Sequence, residues 1–295
     1  MAINNLEFRS QLTDGLDKKL VQKSAAACLL DNNLRAKFVG AKTVLIPDVD
    51  FVGLADYNRD TGFTRGSVTV SQKPYTLSKD RGRTFIIDRE DMDEIGISNL
   101  AGQLMGEFVR TEVAPEIDAY AISAIAKIAA TNLKVGGMTA DNVFDMLNTA
   151  VNSAQSASSF DEELVVFVSA TVWALLSVSD KFTRLIRVDD FKKGELTTKV
   201  RKYNECAIIP VPDLRMKTAY TFGSDGFTAD SGAKDIEMLV VPKKAASLVK
   251  KTEKVRVFEP DENQTMDAYK FDYRLYYDCF VKDSAKGTIF GYTKS

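Results

Sequence analysis

The strictest alternation of apolar and polar positions lies near the end of the chain, in KFDYRLYYDCFVK at 270–282. The apolar positions of this run are Phe271, Tyr273, Leu275, Tyr277, Cys279 and Val281. A period of two places these side chains on one face of a β-strand. The pattern therefore predicts a long strand with one buried face, and a long helix elsewhere in the chain is the natural cover for that face.

The second strong pattern is helical and covers Ser98–Asn132. Its apolar positions recur at spacings of three and four: Leu100, Leu104, Phe108, Val113, Ile117, Tyr120, Ala124 and Ile128. One slip, from Phe108 to Val113, lies close to Pro115, where we expect a bend or a break because proline removes a helical hydrogen bond. Some 30 residues at 1.5 Å each predict a helix of roughly 45 Å.

A third pattern, at 71–91, is extended but carries a charge at nine of its twenty-one positions. Val68 and Val70 alternate with polar residues just before it, Lys73-Pro74 offers a turn, and RTFIID at 83–88 returns as a strand. These features predict a charged β-hairpin. Because two strands alone are marginal in water, the hairpin needs a cover, which is either its own domain or another molecule.

The rest of the chain mixes short helices and strands. A helix is predicted around Asp17–Leu30, followed by a strand, AKTVLIPDV, that ends at Pro47. Between 138 and 235 the pattern gives a helix at 139–155, a buried strand, ELVVFVS, a short helix, ATVWALLSV, and a strand, CAIIPVPDLRM. The charged stretch at 189–205 is predicted as a loop or exposed ribbon, 221–235 as a surface loop, and KKAASLVKK at 243–251 as a short basic helix. The fold class is α+β.

Composition narrows the function by exclusion. The 295 residues include 39 basic and 41 acidic side chains, so the chain lacks the strongly basic character of a tight nucleic-acid binder. Apolar runs such as LVVFV are too short to span a bilayer, and the polar N-terminus is not a signal peptide. The three cysteines, Cys28, Cys206 and Cys279, are too scattered for a disulfide framework or zinc site and are interpreted as core residues of a protein in a reducing cytoplasm.

Candidate chemistry is sparse. The chain has no histidine, which excludes His-based triads, His-ligated metals and His general bases. The acidic cluster DREDMDE at 88–94 is better explained as the solvated start of a helix than as a metal or acid–base site. Glu112, Glu116 and Asp118 are predicted to form a solvated or interface-facing stripe on the long helix. No glycine pattern for phosphate or dinucleotide binding occurs. We therefore predict no catalytic, metal or cofactor-binding residues, and a protein that is not an enzyme.

The order of these segments resembles that of the major capsid proteins of tailed bacteriophages, which share the Hong Kong 97-type shell fold with encapsulins. Four stretches carry the resemblance: TLSKDRGRTFIIDREDMDE, RTEVAPEIDAYAISAIA, IIPVPDLRM and VRVFEPDENQTMDAYKFDYRLYYD. They are similar to that family's extended loop with its return, its spine helix, a strand of its inserted domain, and its peripheral sheet with a loop. The resemblance in the order of segments covers nearly the whole chain.

The resemblance implies a domain plan. Residues 1–53 would be the N-terminal arm and 54–94 the extended β-hairpin loop. Residues 95–133 with 236–282 would be the peripheral domain of spine helix and long sheet, and 134–235 with 283–295 the inserted axial α/β domain. Axis-lining residues are expected in its charged loops, near Asp189–Glu195 or Ser224–Lys234.

The resemblance also implies a function. The protein would be a major capsid protein that self-assembles as hexamers and pentamers into an icosahedral phage head around double-stranded DNA, in the host bacterial cytoplasm. Expected partners are copies of itself, a separate scaffolding protein and a portal protein, with DNA enclosed without sequence-specific binding and no membrane. Expected inter-subunit contacts from the extended loop are Lys73, Lys79, Asp80, Arg81, Arg83 and Asp88, and those from the peripheral loop are Glu259, Asp261, Glu262 and Asn263.

Three alternatives remain open from the sequence. Some relatives join a loop lysine to a peripheral-domain asparagine, and the positions here that approximate this pair are Lys73 and Asn263. An encapsulin-like compartment has the same fold and holds cargo instead of a genome. From another class, a cytoplasmic α+β enzyme with a catalytic acidic cluster would form a small oligomer instead of a shell.

Overall fold

The computed structural model describes residues 15–16, 18–30, 37–39, 43–60, 62–90, 97–158, 162–193, 196–263 and 265–294. The described residues divide into two compact units, one within 1–31 and 79–295 and the other within 32–78. Most of the acidic cluster at 88–94, from residue 91 on, lies outside the described residues.

Strands and helices alternate irregularly along the chain. The strands are β1 (Lys37–Val39), β2 (Thr43–Phe51), β3 (Val68–Thr76), β4 (Lys79–Asp88), β5 (Leu133–Val135), β6 (Leu164–Ser169), β7 (Arg187–Lys193), β8 (Leu196–Tyr203), β9 (Cys206–Val211), β10 (Tyr220–Gly223), β11 (Gly226–Ala229), β12 (Ile236–Pro242), β13 (Ala246–Phe258), β14 (Ala268–Val281) and β15 (Phe290–Thr293). The helices are α1 (Ile97–Phe108), α2 (Ala114–Ile128), α3 (Val143–Ala157), α4 (Ala170–Val178) and α5 (Asp180–Leu185). This α+β content agrees with the predicted fold class.

The predicted long helix is present as α1 and α2, joined by a π-helical segment at Val109–Val113. The wider π turn accounts for the slip in apolar spacing, since both Phe108 and Val113 pack against the same core. Pro115 lies in the first turn of α2 and has no backbone N–H. A carbonyl one turn earlier, inside the π segment, therefore lacks its usual helical donor. The irregularity predicted as a bend or a break is thus a π segment that joins the two helices.

The predicted long strand is β14, and its alternation is confirmed. It lies in the middle of a three-stranded antiparallel sheet with the order β13-β14-β4. Its six predicted apolar side chains are all buried, in the same core as the inner face of α2. The basic helix predicted for 243–251 is wrong, because Ala246–Lys250 extend β13 and pair with β14 up to Val281.

A seven-stranded mixed sheet with the order β5-β15-β12-β6-β9-β8-β7 forms the other half of this unit. One of its faces contributes Phe167 and Leu239 to the core under α2, and the other contributes Val166 and Val240 to a second core under α3 and α4. Strand β12 pairs with β6 and β15. The segment 236–242, which the sequence placed in the peripheral domain, thus belongs to the inserted sheet. The surface loop predicted at 221–235 contains the β10–β11 hairpin.

The second unit is a small antiparallel sheet with the order β1-β2-β3. A long hairpin is present, but its strands are β2 and β3, paired from Thr43↔Thr76 to Phe51↔Val68. The predicted hairpin partner at 83–88 instead belongs to β4, which pairs with β14. The predicted turn at Lys73-Pro74 is wrong as well, since both residues lie within β3. Pro74 is tolerated there because β3 is an edge strand of this sheet.

The N-terminal segment packs on its own chain. Residues 18–23 are helical and are followed by a 3-10 turn at Ala26–Leu29, with Leu16, Leu20 and Cys28 buried in the large core. Leu30 forms a parallel bridge to Leu248 of β13. The predicted helix at 17–30 is therefore confirmed in part, and apolar burial helps to hold this segment on the core.

Candidate assembly surface

Arg81 is the centre of a polar network between β4 and α2. Its Nε donates to Glu116 Oε1 at 2.8 Å and its Nη2 donates to Oε2 at 3.0 Å, a bidentate pair. The Tyr277 hydroxyl donates to the same carboxylate at 2.9 Å. The hydrogen bond to Glu116 raises the pKa of Arg81, and burial raises that of the Tyr277 hydroxyl. Glu116, predicted on a solvated or interface-facing stripe, is therefore an internal ion-pair partner.

Two arginines of β4 also hold the turn between β10 and β11. Arg81 Nη2 donates to the Gly223 carbonyl at 2.8 Å, and Arg83 Nη1 donates to the Ser224 carbonyl at 2.6 Å. Gly226 completes the turn with a φ of 103°, which favours glycine. Two charged side chains predicted to contact another subunit thus have partners within their own chain.

The other charged residues of β4 also contact groups of their own chain. Lys79 Nζ lies 4.1 Å from the Phe222 ring centroid and 5.0 Å from that of Tyr120, and its pKa is lowered chiefly by burial. Asp80 accepts two hydrogen bonds from Arg274, at 2.6 and 2.8 Å. Asp88 is exposed and accepts the Glu90 N–H at 3.0 Å. These charged residues therefore have hydrogen-bond or ring partners within their own chain, while Asp80, Arg83 and Asp88 stay exposed. Contact of these residues with a neighbouring subunit stays a prediction.

The predicted peripheral loop follows β13 and is organised by Asn263. The Asn263 side-chain amide donates to the Ala268 carbonyl at 2.9 Å, and its Oδ1 accepts the Thr265 hydroxyl at 2.8 Å. The carboxylates of this loop, those of Glu259, Asp261 and Glu262, are on exposed residues. Asn263 thus shapes the loop that presents three acids to the surface.

Lys73, the other member of the predicted cross-link pair, lies in β3 of the second unit, opposite Ile46. Asn263 belongs to the first unit. The cross-link between them stays a prediction.

Asp118 is an internal anchor that the sequence did not reveal. Its carboxylate is completely buried and accepts the Ser24 hydroxyl at 2.6 Å and the backbone N–H groups of Ala25 and Ala26 at 3.0 and 2.9 Å. Arg215 Nη1 donates to it at 3.1 Å. The solvated or interface-facing stripe predicted for this residue is wrong, because Asp118 ties the N-terminal segment and Arg215 to the helix. Of the three acids, Glu112 alone is exposed.

The second unit has an exposed apolar surface that the sequence analysis did not predict, because it considered charged residues as the contact sites. Large apolar side chains are exposed along its outer strand and its connection: Val52, Leu54, Tyr57, Phe63, Val68 and Val70. Leu54 is fully exposed and Phe63 is 89% exposed. We call residues 52–67, which join β2 to β3, the hairpin tip. The signal in the sequence was FVGLADYNRDTGF at 51–63, a connection with unusually many apolar residues.

The hairpin tip has a defined local structure. The Gly62 N–H donates to the Asn58 carbonyl at 2.7 Å, and the Asp60 N–H donates to Asn58 Oδ1 at 2.8 Å. Gly62 has a φ of 81°. The turn brings the Tyr57 and Phe63 rings together edge to face, with centroids 4.9 Å apart. The tip thus presents a paired aromatic anchor to the surface.

Comparison with solved structures identifies the fold. The capsid structure of cyanophage P-SCSP1u superposes with a TM-score of 0.55 at 16% identity, covering 88% of this chain and 85% of that one. The mature capsid of bacteriophage PhiM1 gives 0.54 at 16% identity, with 86% and 82% covered. The chain has a phage-capsid fold. A virus-like particle from Pyrococcus furiosus also matches, with a TM-score of 0.55, 13% identity, and 99% and 100% covered.

These structural matches confirm the resemblance to phage capsid proteins that the sequence stretches carry. No protein-family model matches the chain, and no curated protein matches it in sequence. Within the described residues, no helix is long and apolar enough to cross a membrane. A long helix, α1 with α2, is present as the resemblance implied. At such low identities the comparison establishes the fold, and the function has to be argued from the surface.

Proposed function

We propose that this protein is the major capsid protein of a tailed bacteriophage, a structural subunit without catalytic activity that assembles into the closed shell of a phage head. Two findings support the proposal: the phage-capsid fold, and the exposed apolar surface of the hairpin unit. The second finding carries more weight, because it is a property of this chain's own residues. Apolar clusters of this kind mark surfaces that become buried in a complex.

Burial of these exposed apolar side chains by a partner would favour association. Fully burying a Val, Leu or Phe side chain contributes about 1.5–3 kcal/mol. Leu54, Phe63, Val68 and Val70 together thus offer on the order of 10 kcal/mol if a partner covers them. Association costs of similar size oppose this gain, so a single contact is weak and reversible. A weak contact repeated in every subunit of a shell is compatible with correction of misplaced subunits.

The proposed shell consists of hexamers and pentamers of the chain and encloses double-stranded DNA. A formal net charge of −2 suits a wall that surrounds DNA without gripping it. Assembly would take place in the host cytoplasm with a separate scaffolding protein and a portal protein. Within this proposal, the exposed acids Asp88, Glu259 and Asp261 belong to subunit contacts, where charge sets specificity more than affinity.

The test is expression of the chain with and without its neighbouring gene products, followed by negative-stain microscopy and sedimentation analysis. Closed particles or capsomers of several subunits are the expected result. A monodisperse monomer or small oligomer under every condition, including co-expression with a scaffold candidate, contradicts the proposal. SDS electrophoresis of boiled particles then tests the Lys73–Asn263 cross-link, because a monomer-mass band alone eliminates it.

A second candidate is a cargo-holding compartment of the encapsulin type. The observation that favours it is the match to the Pyrococcus furiosus virus-like particle, which extends over 99% of this chain and 100% of that one. The contents of purified particles separate the two candidates. Nuclease-protected DNA supports the phage head, whereas a co-purifying protein cargo without DNA supports the compartment.

A further inference from the structure

Glu237 is an extra residue in the pairing of β12 with β15. Its neighbours in β12, Ile236 and Met238, pair with the adjacent residues Thr293 and Tyr292 of β15, so Glu237 has no partner opposite it. An insertion of this kind is a β-bulge, which redirects the side chains beside it. The bulge therefore gives the Glu237 side chain a direction that regular alternation along β12 would not give it.

The Glu237 carboxylate contacts the segment that joins β5 to α3, residues 136–142, which we call the β5–α3 connection. Its Oε1 accepts the Met138 N–H at 3.4 Å, a long hydrogen bond. Its Oε2 is shielded from solvent and has no hydrogen-bond partner among the described residues. Because buried polar atoms of native proteins almost always have a partner, this oxygen is an exception that calls for a reason. An ionised carboxylate is costly to keep in such a place.

The other contacts that hold the start of the β5–α3 connection are neutral. The Met138 side chain is buried in the core under α3 and α4. The Gly136 N–H donates to the Thr293 carbonyl at 3.1 Å. Neither contact involves a group that gains or loses a proton. The Glu237 carboxylate is thus the titratable group in the attachment of this segment to β12 and β15.

We propose that Glu237 makes the packing of the β5–α3 connection depend on pH: the protonated carboxyl keeps residues 136–142 on β12, and the ionised carboxylate weakens this contact. In the packed state Oε2 is shielded from solvent, whereas opening of the connection returns the carboxylate to water. Ionisation therefore favours the open state. The inference concerns a single subunit and goes beyond the shell function proposed above. It gives the segment between the long helix and α3 a mobility that is set by pH.

The groups around Glu237 agree with this direction. Burial raises the pKa of Glu237 above its ordinary value of 4.5, and it outweighs the Met138 N–H and the Lys294 ammonium, which lower that pKa; the Asp235 carboxylate raises it as well. Tyr292 lies in the same core as Met138, and burial raises its pKa too, so it stays neutral near pH 7. The stability that the protonated carboxyl contributes is complete below the pKa of Glu237 in the unfolded chain. It is lost as the pH rises through the higher pKa of the folded subunit.

The test is hydrogen exchange with mass spectrometry on unassembled full-length subunits, from about pH 4.5 to about pH 7.5, corrected for the intrinsic pH dependence of exchange. The unaltered chain should lose protection at residues 136–142 as the pH rises, by up to about tenfold for each unit by which folding raises the pKa of Glu237. Glu237→Gln cannot ionise and should keep its protection across this range. The matched control, Glu163→Gln, alters an exposed carboxylate that pairs with Lys243, and it should lose protection as the unaltered chain does.

Two results overturn the inference: protection of residues 136–142 that does not change with pH in the unaltered chain, and an equal loss of protection in Glu237→Gln. If Glu237→Gln does not fold, Lys294→Gln takes its place. This exposed change removes a positive charge that favours ionised Glu237, so the loss of protection should move to higher pH. A loss that stays at the same pH then overturns the inference. Because particle formation plays no part in these measurements, their result leaves the proposed shell function intact.

Discussion

Replacing Asp118 with alanine removes the shared acceptor of the N-terminal segment. The Ser24 hydroxyl, the N–H groups of Ala25 and Ala26, and the Arg215 guanidinium all lose this partner. The site is completely buried, so solvent does not replace the lost acceptor without local opening. We therefore expect the change to act on folding and on docking of residues 15–30.

The size of the effect follows from the contacts. Removing one partner of a buried ion pair costs about 3–5 kcal/mol. A buried hydrogen-bond donor left without an acceptor costs about 1–3 kcal/mol. This cost is not added to that of the broken ion pair, because local opening of the site would relieve both. We expect Asp118→Ala to lower the free energy of unfolding by about 3–5 kcal/mol in total. Glu112→Ala, an exposed change in the same helix, is expected to stay within about 0.5 kcal/mol.

Unassembled subunits are the correct sample, since subunit contacts would mask the change in a shell. Urea unfolding gives the free energy of unfolding, and hydrogen exchange with mass spectrometry reports amide protection at residues 20–30. The expected result is a lower midpoint with lost protection in this peptide. An unchanged midpoint together with unchanged protection at Ala25 and Ala26 would refute the anchoring role of Asp118.

Three further predictions concern other sites. Arg81→Ala should destabilise the subunit by about 1–3 kcal/mol in urea unfolding, because it leaves the half-buried Glu116 carboxylate without its bidentate partner. Arg274→Ala, which removes the exposed ion pair with Asp80, should have a clearly smaller effect. Equal effects of the two substitutions would contradict the role of burial. Phe63→Ser should leave subunit unfolding unchanged but reduce the particle yield in sedimentation, whereas normal particles would argue against the tip as an anchor. Burial raises the pKa of the Cys206 thiol to about 12, so Cys206 in the folded subunit should resist maleimide from pH 7 to 9. The free energy of unfolding should fall as the pH rises above the pKa of this thiol in the unfolded chain. Fast labelling of Cys206 in the folded protein would contradict this prediction.

Periodic patterns predicted the elements that bury one face. The alternation in β14 was correct residue by residue because a period of two leaves no other face for Phe271 or Tyr277. The slip at Phe108–Val113 marked a real irregularity, but the sequence did not distinguish a kink from a π turn, which depends on how both residues reach one core.

The pairing partners of strands and the contacts of polar side chains could not be predicted from local sequence patterns. β4 was predicted to pair with the strand before it, yet its partner, β14, is almost two hundred residues away in the chain. Asp118 was predicted on a solvated or interface-facing stripe because helical spacing does not reveal that an N-terminal segment covers that side of the helix. The hairpin tip was overlooked because charge, and not apolar exposure, was taken as the sign of a contact.

The central claim is that apolar surface on the hairpin unit is buried by another copy of the chain. A cryo-electron-microscopy reconstruction of assembled particles tests it most directly. The account predicts closed shells in which Tyr57 and Phe63 of each subunit are covered by a neighbouring subunit. Shells in which these rings face solvent or their own subunit would contradict it, as would a protein that stays monomeric with this surface exposed.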